Sequence, residues 1–205
     1  MDSPLVSIDD ASRQLRRDAV LAAARTVFEK AGLDGASIRM IAKEAGCTTG
    51  SIYPYFKGKE EIYAEVLSQS LGDYTRRLLA DMKKAADPRA RFEAALWSHF
   101  KFYETRPSDL SLALYLFNGL KPQGLTRQLD ATLNAQLAEI HSIFTESLRA
   151  LTGCNAREAD LEIGLHFSFL FGLLTLYHTR RTRAFRVEPR TLLKTHIKRS
   201  LDRLA

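Results

Sequence analysis

Residues 37–60 read SIRMIAKEAGCTTGSIYPYFKGKE, and this stretch decides the fold. Ser37 is the predicted cap of a short helix that ends before Gly46, and a second short helix is expected from just after Thr48 to about Tyr55. A helix, a tight turn with glycine and a second short helix make a helix-turn-helix, whose second helix lies in the major groove of DNA. The stretch therefore predicts a unit that binds a DNA duplex.

The second short helix carries side chains that suit such contact. Its hydroxyl groups can donate hydrogen bonds to a duplex, and a glycine lets the backbone approach a phosphate closely. The predicted contacts in this segment are Thr48, Thr49, Gly50, Ser51, Tyr53 and Tyr55. Lys57 and Lys59 flank the start of the next helix, where free backbone amides and the helix dipole also favour a phosphate.

The rest of the chain shows helical patterns. Glycine and proline fall almost entirely between apolar repeats of helical spacing, and no run alternates strongly enough to require a strand. We therefore expect an all-α protein of about nine helices. Those outside the helix-turn-helix are expected at about 10–31, from 59 past 78, at 87–105, from 107 to near 119, at 129–151, at 156–180 and at 189–204.

The eighth expected helix is apolar nearly all round in the stretch 165–177, LHFSFLFGLLTLY. It is either a central core helix, or a helix with one face packed inward and the other against a second subunit. We favour the second interpretation because an amphipathic ninth helix follows at once, and two such helices from each subunit can form a four-helix bundle. The predicted homodimer interface consists of Phe167, Phe171, Leu174, Leu193, Ile197 and Leu201.

Charge alone does not locate a DNA-binding surface. The net charge is +6, but residues 1–60 contain nine basic and eight acidic side chains, whereas residues 177–205 contain nine basic and two acidic ones. The run RRTRAFR at 180–186 is expected to be a solvated loop between the last two helices. Local motifs, rather than bulk charge, must therefore carry the prediction.

The termini and apolar runs indicate a cytoplasmic protein. The N-terminus, MDSPLVSIDD, has acids where a signal peptide has basic residues. The most apolar stretch, 161–177, is interrupted by polar residues and is shorter than the roughly 20 residues of a membrane-spanning helix, so no membrane segment is expected. Two cysteines, Cys47 and Cys154, are too few for a disulfide framework.

No pattern of residues indicates catalysis or a metal site. His99, His141 and His166 fall on three separate helices, and no Cys/His cluster has a metal-ligand spacing. No nucleophile, base and orienting group stand together in a motif. We expect core or pocket histidines, no cofactor and no enzymatic activity.

Aromatic residues are dense in the fifth to eighth expected helices. Most must form the core, but a subset facing inward from several helices would suit a pocket for a flat or greasy small molecule. The predicted effector pocket consists of Trp97, Phe100, Tyr103, Tyr115, His141, Phe144 and His166.

From Arg16 to Val66 the chain resembles the N-terminal signature of the TetR family of transcriptional regulators. The stretch 41–63, IAKEAGCTTGSIYPYFKGKEEIY, carries the resemblance, with the elements IA..AG and G.IY.YF..KE in the family's spacing. By position, the resemblance implies that Arg39 reaches a base or phosphate and that Lys59 binds a phosphate. The positions that match the family's recognition helix are Thr49, Gly50, Ser51, Tyr53 and Tyr55, and Ser37 completes the predicted DNA-contacting set. The positions that match the family's core are Ile41, Ala42, Ala45, Ile52 and Phe56.

Two positions depart from the family's pattern. Cys47 replaces the usual aliphatic residue, and we interpret it as a small buried apolar side chain in preference to a redox sensor. Pro54 stands where histidine or tyrosine is frequent. Because proline cannot donate a backbone hydrogen bond and crowds the carbonyl of Gly50, a tightened last turn is expected.

Together these patterns predict two domains. Residues 1–57 form a helix-turn-helix DNA-binding domain, and residues 58–205 form an effector-binding and dimerisation domain. The predicted function is a ligand-responsive regulator, a repressor released from a palindromic operator when a largely apolar or aromatic molecule binds. The alternative is a helical binding or adaptor protein whose N-terminal unit engages a partner other than DNA.

Overall fold

The computed structural model describes residues 8–114 and 125–204, and all regular structure within these ranges is helical. The all-α fold with a helix-turn-helix is as predicted from the sequence. The α-helices are α1 (Ile8–Gly35), α2 (Ile38–Glu44), α3 (Lys59–Lys83), α4 (Pro88–Glu104), α5 (Pro107–Leu114), α6 (Arg127–Thr152), α7 (Ala156–His178) and α8 (Pro189–Leu204). Two 3₁₀ helices cover Thr49–Ser51 and Arg181–Phe185.

Capping side chains mark the start of several of these helices. The Asp87 carboxylate accepts a hydrogen bond from the Ala90 amide at 2.7 Å, one residue before Pro88 opens α4. Asn155 and Glu158 form a reciprocal capping box at the start of α7. Gly153 has φ +71°, the left-handed conformation that ends helices and favours glycine. These local signals explain why the predicted boundaries agree with the structure to within a few residues.

The described chain separates into two units. Unit 1 contains residues 8–70 with 108–114 and 125–133, and unit 2 contains residues 71–107 with 134–204. Helices α3 and α6 each begin in unit 1 and end in unit 2. The predicted boundary after residue 57 therefore falls inside unit 1, because the first part of α3 packs with the N-terminal helices.

The core of unit 1 holds the helix-turn-helix in place. Ile41, Ala42, Ile52 and Phe56, all expected to be core, are at most 3% exposed, whereas Ala45 is half-buried. On the neighbouring helices, Phe28 of α1 meets Tyr63 of α3 edge to face, with 5.2 Å between ring centroids. Elsewhere in unit 1 the Arg17 guanidinium lies 3.2 Å from the Glu65 carboxylate.

Helix α7 packs with α4 and α8 in unit 2. By length and composition it is the one helix of the described residues that could cross a membrane, a property that core helices share. Its buried positions include Ile163, Leu170 and Leu174. Leu161 and Leu165 lie on another face and are 65% and 52% exposed.

The structure corrects the predicted dimer interface. Leu174, Leu193, Ile197 and Leu201 are buried within the subunit itself, at 0 to 2% exposure. The rings of Phe167 and Phe171 pack against His99, at centroid distances of 5.2 and 5.3 Å. The four aliphatic side chains thus belong to the interior of unit 2, whereas Phe167 and Phe171 are half-buried. The prediction was wrong for these four residues because an all-apolar helix does not reveal which side faces its own core.

Candidate functional site

The turn of the helix-turn-helix has the geometry that the glycine predicted. The Ser37 hydroxyl caps α2 by accepting from the Met40 amide at 3.3 Å. Gly46 has φ +67°, where a side chain would be strained, and this turn reverses the chain after α2. The Cys47 amide then donates to the Ala42 carbonyl at 2.9 Å, which closes the turn.

The recognition segment is tighter than the predicted helix to Tyr55. A 3₁₀ helix covers Thr49–Ser51, with the Ser51 and Ile52 amides each 3.1 Å from the carbonyl three residues earlier. Turns continue the segment through Tyr55. Pro54 explains the change, because it has no amide hydrogen to donate to the Gly50 carbonyl in an α-helix.

Most of the predicted DNA contacts form an exposed surface on unit 1. Tyr53 is 58% exposed, whereas its neighbour Ile52 is fully buried, so the segment turns one face inward and the other to solvent. The Thr48 and Ser51 hydroxyls hydrogen-bond each other at 2.9 Å. The exposed members of the predicted set are Ser37, Arg39, Thr48, Thr49, Gly50, Ser51 and Tyr53, whereas Tyr55 and Lys59 are half-buried.

Arginines of α1 border the recognition segment, and sequence reasoning missed them. The Arg13 guanidinium lies over the Tyr55 ring, 5.9 Å from its centroid. Arg16 lines a groove of about 400 Å³ together with Ser51 and Pro54. Both arginines are exposed. In the sequence, these arginines form a basic cluster just before the first core residue of α1. The balanced charge count of residues 1–60 concealed this cluster.

Lys59 has a different environment from the one predicted. Its ammonium donates to the carbonyls of Leu33, Asp34 and Ala36 at 2.9, 3.4 and 3.1 Å, which uses all three of its donors. The side chain therefore caps the end of α1. Lys57, two residues earlier, is exposed, and its amide donates to the Glu61 carboxylate at 2.6 Å.

A second candidate site is a cluster of aromatic rings in unit 2, which we call the His99 cluster. His99 of α4 is 2% exposed. The other members of the cluster come from α3, α4, α6 and α7, and their ring centroids lie 5.0 to 6.5 Å from the centroid of the His99 ring. These members are Tyr74, Tyr103, Phe144, Phe167 and Phe171. Of the predicted pocket residues, Tyr103 and Phe144 belong to this cluster.

The other predicted pocket residues do not join it. Phe100 is fully buried, and its ring meets that of Trp97 edge to face at 6.5 Å. His141 is at the surface, with Nε2 3.7 Å from the Asp160 carboxylate. His166 is buried elsewhere, with Nδ1 3.0 Å from Nε2 of His196. Tyr115 lies outside the described residues. His141 and His166 therefore lie apart from the His99 cluster, because helical spacing does not show which neighbouring helix a side chain meets, and their place in an effector pocket stays a prediction.

Polar atoms at the centre of the His99 cluster are only partly paired. The Tyr74 hydroxyl lies 2.9 Å from Nδ1 of His99, and Nε2 of His99 has no hydrogen-bond partner among the described residues. Burial lowers the pKa of His99 to about 3, so its imidazole is neutral at physiological pH. The sequence alone indicates only a core or pocket histidine at this position.

Comparison with known proteins places the chain among bacterial regulators. The family described as bacterial regulatory proteins, tetR family, matches residues 20–66. The HTH-type transcriptional regulator BetI of Vibrio parahaemolyticus is 31% identical over 62% of this chain and 73% of its own length. The fatty acid metabolism regulator protein of Bacillus subtilis is 25% identical over 76% of this chain and 77% of its own length.

Solved structures share the fold. The transcriptional regulator FadR from Bacillus subtilis, in complex with stearoyl-CoA, superimposes with a TM-score of 0.69 and 20% identity, over 88% of this chain and 95% of that one. An all-helical chain with an exposed helix-turn-helix defines a DNA-binding transcriptional regulator. The chain belongs to the TetR family of bacterial regulatory proteins.

Proposed function

We propose that the protein is a dimeric repressor that binds a palindromic operator and is released when an apolar small molecule enters the His99 cluster. One observation carries the proposal. The same chain holds an exposed, polar recognition segment, with Tyr53 58% exposed, and a buried aromatic cluster whose central histidine has an unpaired nitrogen. The first feature suits a DNA duplex and the second suits an apolar ligand with one polar group.

Exposed side chains of the DNA-facing surface divide into two kinds. Arg39, Thr49 and Tyr53 project from α2 and the recognition segment, the elements that approach base edges in a helix-turn-helix. Arg13, Arg16 and Lys57 border this surface as exposed cations, and such residues bind phosphates. We propose base recognition by the first group and backbone positioning by the second.

Exposed small and apolar residues of α7 support a dimer through its outer face. Leu161 and Leu165 are exposed although leucine is usually buried. Added side-chain atoms at Gly164 and Gly172 would meet nothing within 4 Å, so a partner helix could approach closely at both positions. These four residues recur along one face at helical spacing. A two-fold dimer would present two recognition segments, which predicts an inverted repeat as the operator.

A fatty-acyl thioester is the ligand class that we propose. The relative from Bacillus subtilis is named as a regulator of fatty acid metabolism, and one structural neighbour was solved with stearoyl-CoA. In this chain a surface cleft of about 550 Å³ is lined by four basic and two acidic residues and includes Phe102, which packs on Tyr103 at 5.0 Å. A basic cleft next to an aromatic cluster suits a polyphosphate head group attached to an apolar chain.

Helix α3 is the proposed link between ligand and DNA. It begins at Lys59, whose ammonium holds the end of α1, and carries Tyr74 of the His99 cluster about four turns later. A ligand that displaces Tyr74 would therefore act on the same helix whose first residue, Lys59, contacts the DNA-binding helices. A coupling of about 1–3 kcal/mol per site is typical of such switches.

Selection of bound sequences from a random DNA pool tests the DNA-binding proposal. The expected result is that the protein selects an inverted repeat and that its affinity for this sequence falls steeply as the salt concentration rises. The double variant Arg39→Ala/Tyr53→Ala is expected to select no particular sequence. Leu79→Ala is a suitable control because Leu79 is also exposed but belongs to unit 2, outside the DNA-binding unit. Absence of duplex binding at any salt concentration would instead favour the adaptor alternative. Operator release is then measured with palmitoyl-CoA.

A further inference from the structure

We propose that Nε2 of His99 donates a hydrogen bond to an uncharged carbonyl oxygen of the bound effector. The inference rests on the proposed function, in which an effector occupies the His99 cluster. It adds the residue that recognises the polar part of the ligand and the chemical form of that part, a thioester carbonyl as opposed to a free carboxylate.

The first observation is the unpaired nitrogen itself. His99 is 2% exposed, and its Nε2 atom has no hydrogen-bond partner within residues 8–114 and 125–204. A buried polar group without a partner costs about 1–3 kcal/mol of stability, so such groups are rare in the absence of a ligand or a function. The imidazole that carries this nitrogen is in ring contact with the aromatic side chains of the His99 cluster.

The hydrogen-bond partner on the other side of the imidazole determines which atom carries the proton. The Tyr74 hydroxyl lies 2.9 Å from Nδ1 of His99, and no other partner of this hydroxyl is described. If the hydroxyl donates to Nδ1, its hydrogen is satisfied and the neutral imidazole carries its proton on Nε2. The opposite arrangement would leave both the hydroxyl hydrogen and Nε2 without partners. Nε2 is therefore a donor that needs an acceptor from the ligand.

The surroundings of His99 favour an acceptor without charge. The groups in ring contact with it are all aromatic, and burial alone accounts for the lowered pKa of its imidazole. A carboxylate placed here would lose its hydration without gaining a cation, which costs several kcal/mol. A carbonyl oxygen of a thioester needs only one donor, and Nε2 supplies it.

Two phenylalanines in ring contact with His99 are incompletely buried. Phe167 and Phe171 are each half-buried, although both rings pack against the buried His99. These two residues therefore retain apolar surface that a ligand can contact. An acyl chain against these rings would bring its carbonyl within reach of Nε2.

Two ligands that differ by one oxygen test the proposal. Palmitoyl-CoA has the thioester carbonyl, and S-hexadecyl-CoA, a thioether of the same chain length, lacks it. Calorimetry on the full-length protein is expected to show the thioester binding about tenfold more tightly, a factor that corresponds to about 1.4 kcal/mol. This comparison requires no substitution and so does not depend on the folding of a variant.

Variants then assign the difference to His99. The His99→Phe variant keeps an aromatic ring but lacks Nε2, so it should bind the thioester and the thioether with the same affinity. His166→Phe is the matched control, because His166 is also a buried histidine with an unpaired Nε2 but contacts His196 and Phe92 outside the His99 cluster. This variant should retain the tenfold preference.

Three results would overturn the inference: equal affinities in the unmodified protein, a preference that persists in His99→Phe, or failure of both ligands to bind. Operator binding measured on the same samples separates these results from failure of the proposed function. A protein that selects an inverted repeat but shows any of the three results is still a DNA-binding regulator. A protein that binds no duplex is not.

Discussion

Arg25 of α1 forms an ion pair with Asp109 of α5, and Asp109 is only 7% exposed. A second polar contact lies nearby, where the Tyr63 hydroxyl donates to the Leu112 carbonyl at 2.6 Å. Helix α5 follows α4 of unit 2 in the chain but is held by these contacts to the helices that support the recognition segment. The ion pair thus helps to explain why residues 108–114 belong to unit 1.

Loss of this ion pair should destabilise the protein. Asp109→Asn is expected to lower the free energy of unfolding by about 1–3 kcal/mol, less than for a fully buried pair because solvent screens the Arg25 side chain, which is 33% exposed. Urea denaturation gives the value. Asp73→Asn is the control, because its pair with Arg76 is exposed on both sides and should contribute less than about 0.5 kcal/mol. Equal effects of the two substitutions would contradict the assignment.

Lys57 and Lys59 should behave differently despite being two residues apart. Lys57→Ala is expected to weaken binding to all duplexes and to reduce the salt slope by about one counterion, as for a phosphate contact. Lys59→Met should lower stability instead, because three backbone carbonyls lose their donor. Anisotropy titrations over a range of salt, together with urea denaturation, distinguish the two. A stable Lys59→Met protein with a reduced salt slope would restore the original prediction for Lys59.

Introducing a charged side chain on the outer face of α7 tests whether this face forms the dimer interface. Leu165→Lys is expected to convert the proposed dimer to a monomer at micromolar concentration, because an unpaired ammonium would be buried at the interface. Leu79→Lys on α3 is the matched control, since Leu79 is 47% exposed and Leu165 is 52% exposed. Sedimentation velocity gives the oligomeric state. If Leu165→Lys sediments as the unmodified protein does, the interface lies elsewhere.

Pro54 should influence base preference more than stability. It is exposed in the turns that continue the recognition segment, and any contact that it makes with a base is apolar, such as packing on a thymine methyl group. Pro54→His is expected to change the selected sequence at one position in each half-site. Repeated selection from a random pool measures this, and an unchanged consensus would show that Pro54 contacts no base.

Stability should fall as the pH decreases from about 6 to about 5. Burial lowers the pKa of His99 to about 3 and that of His166 to about 4, whereas unfolded histidines take up protons near pH 6.5. The unfolded state therefore binds more protons in this window, and each histidine contributes a slope of up to about 1.4 kcal/mol per pH unit. His99→Phe should reduce the slope of unfolding free energy against pH. An identical slope would mean that His99 is protonated in the folded protein.

The DNA-binding unit was predictable because its signals are local. The cap at Ser37, the turn at Gly46 and the break imposed by Pro54 act on neighbouring residues, and the structure shows each of them where the sequence placed it. Asp87 and Asn155 cap their helices in a similarly local way, with side chains that bind amides three residues ahead. Hydrogen bonds over three or four residues depend on the local sequence alone.

Contacts between distant residues were decided only by the tertiary structure. Helical spacing showed that α7 is apolar and α8 amphipathic, but not that Leu174 and Leu193 fill their own subunit's core. It placed Lys59 at a helix start, but not against carbonyls more than twenty residues earlier. A side chain's partner across the fold depends on the packing of whole helices, which no local repeat encodes. For the same reason, the unpaired nitrogen of His99 became visible only when its aromatic neighbours were in place.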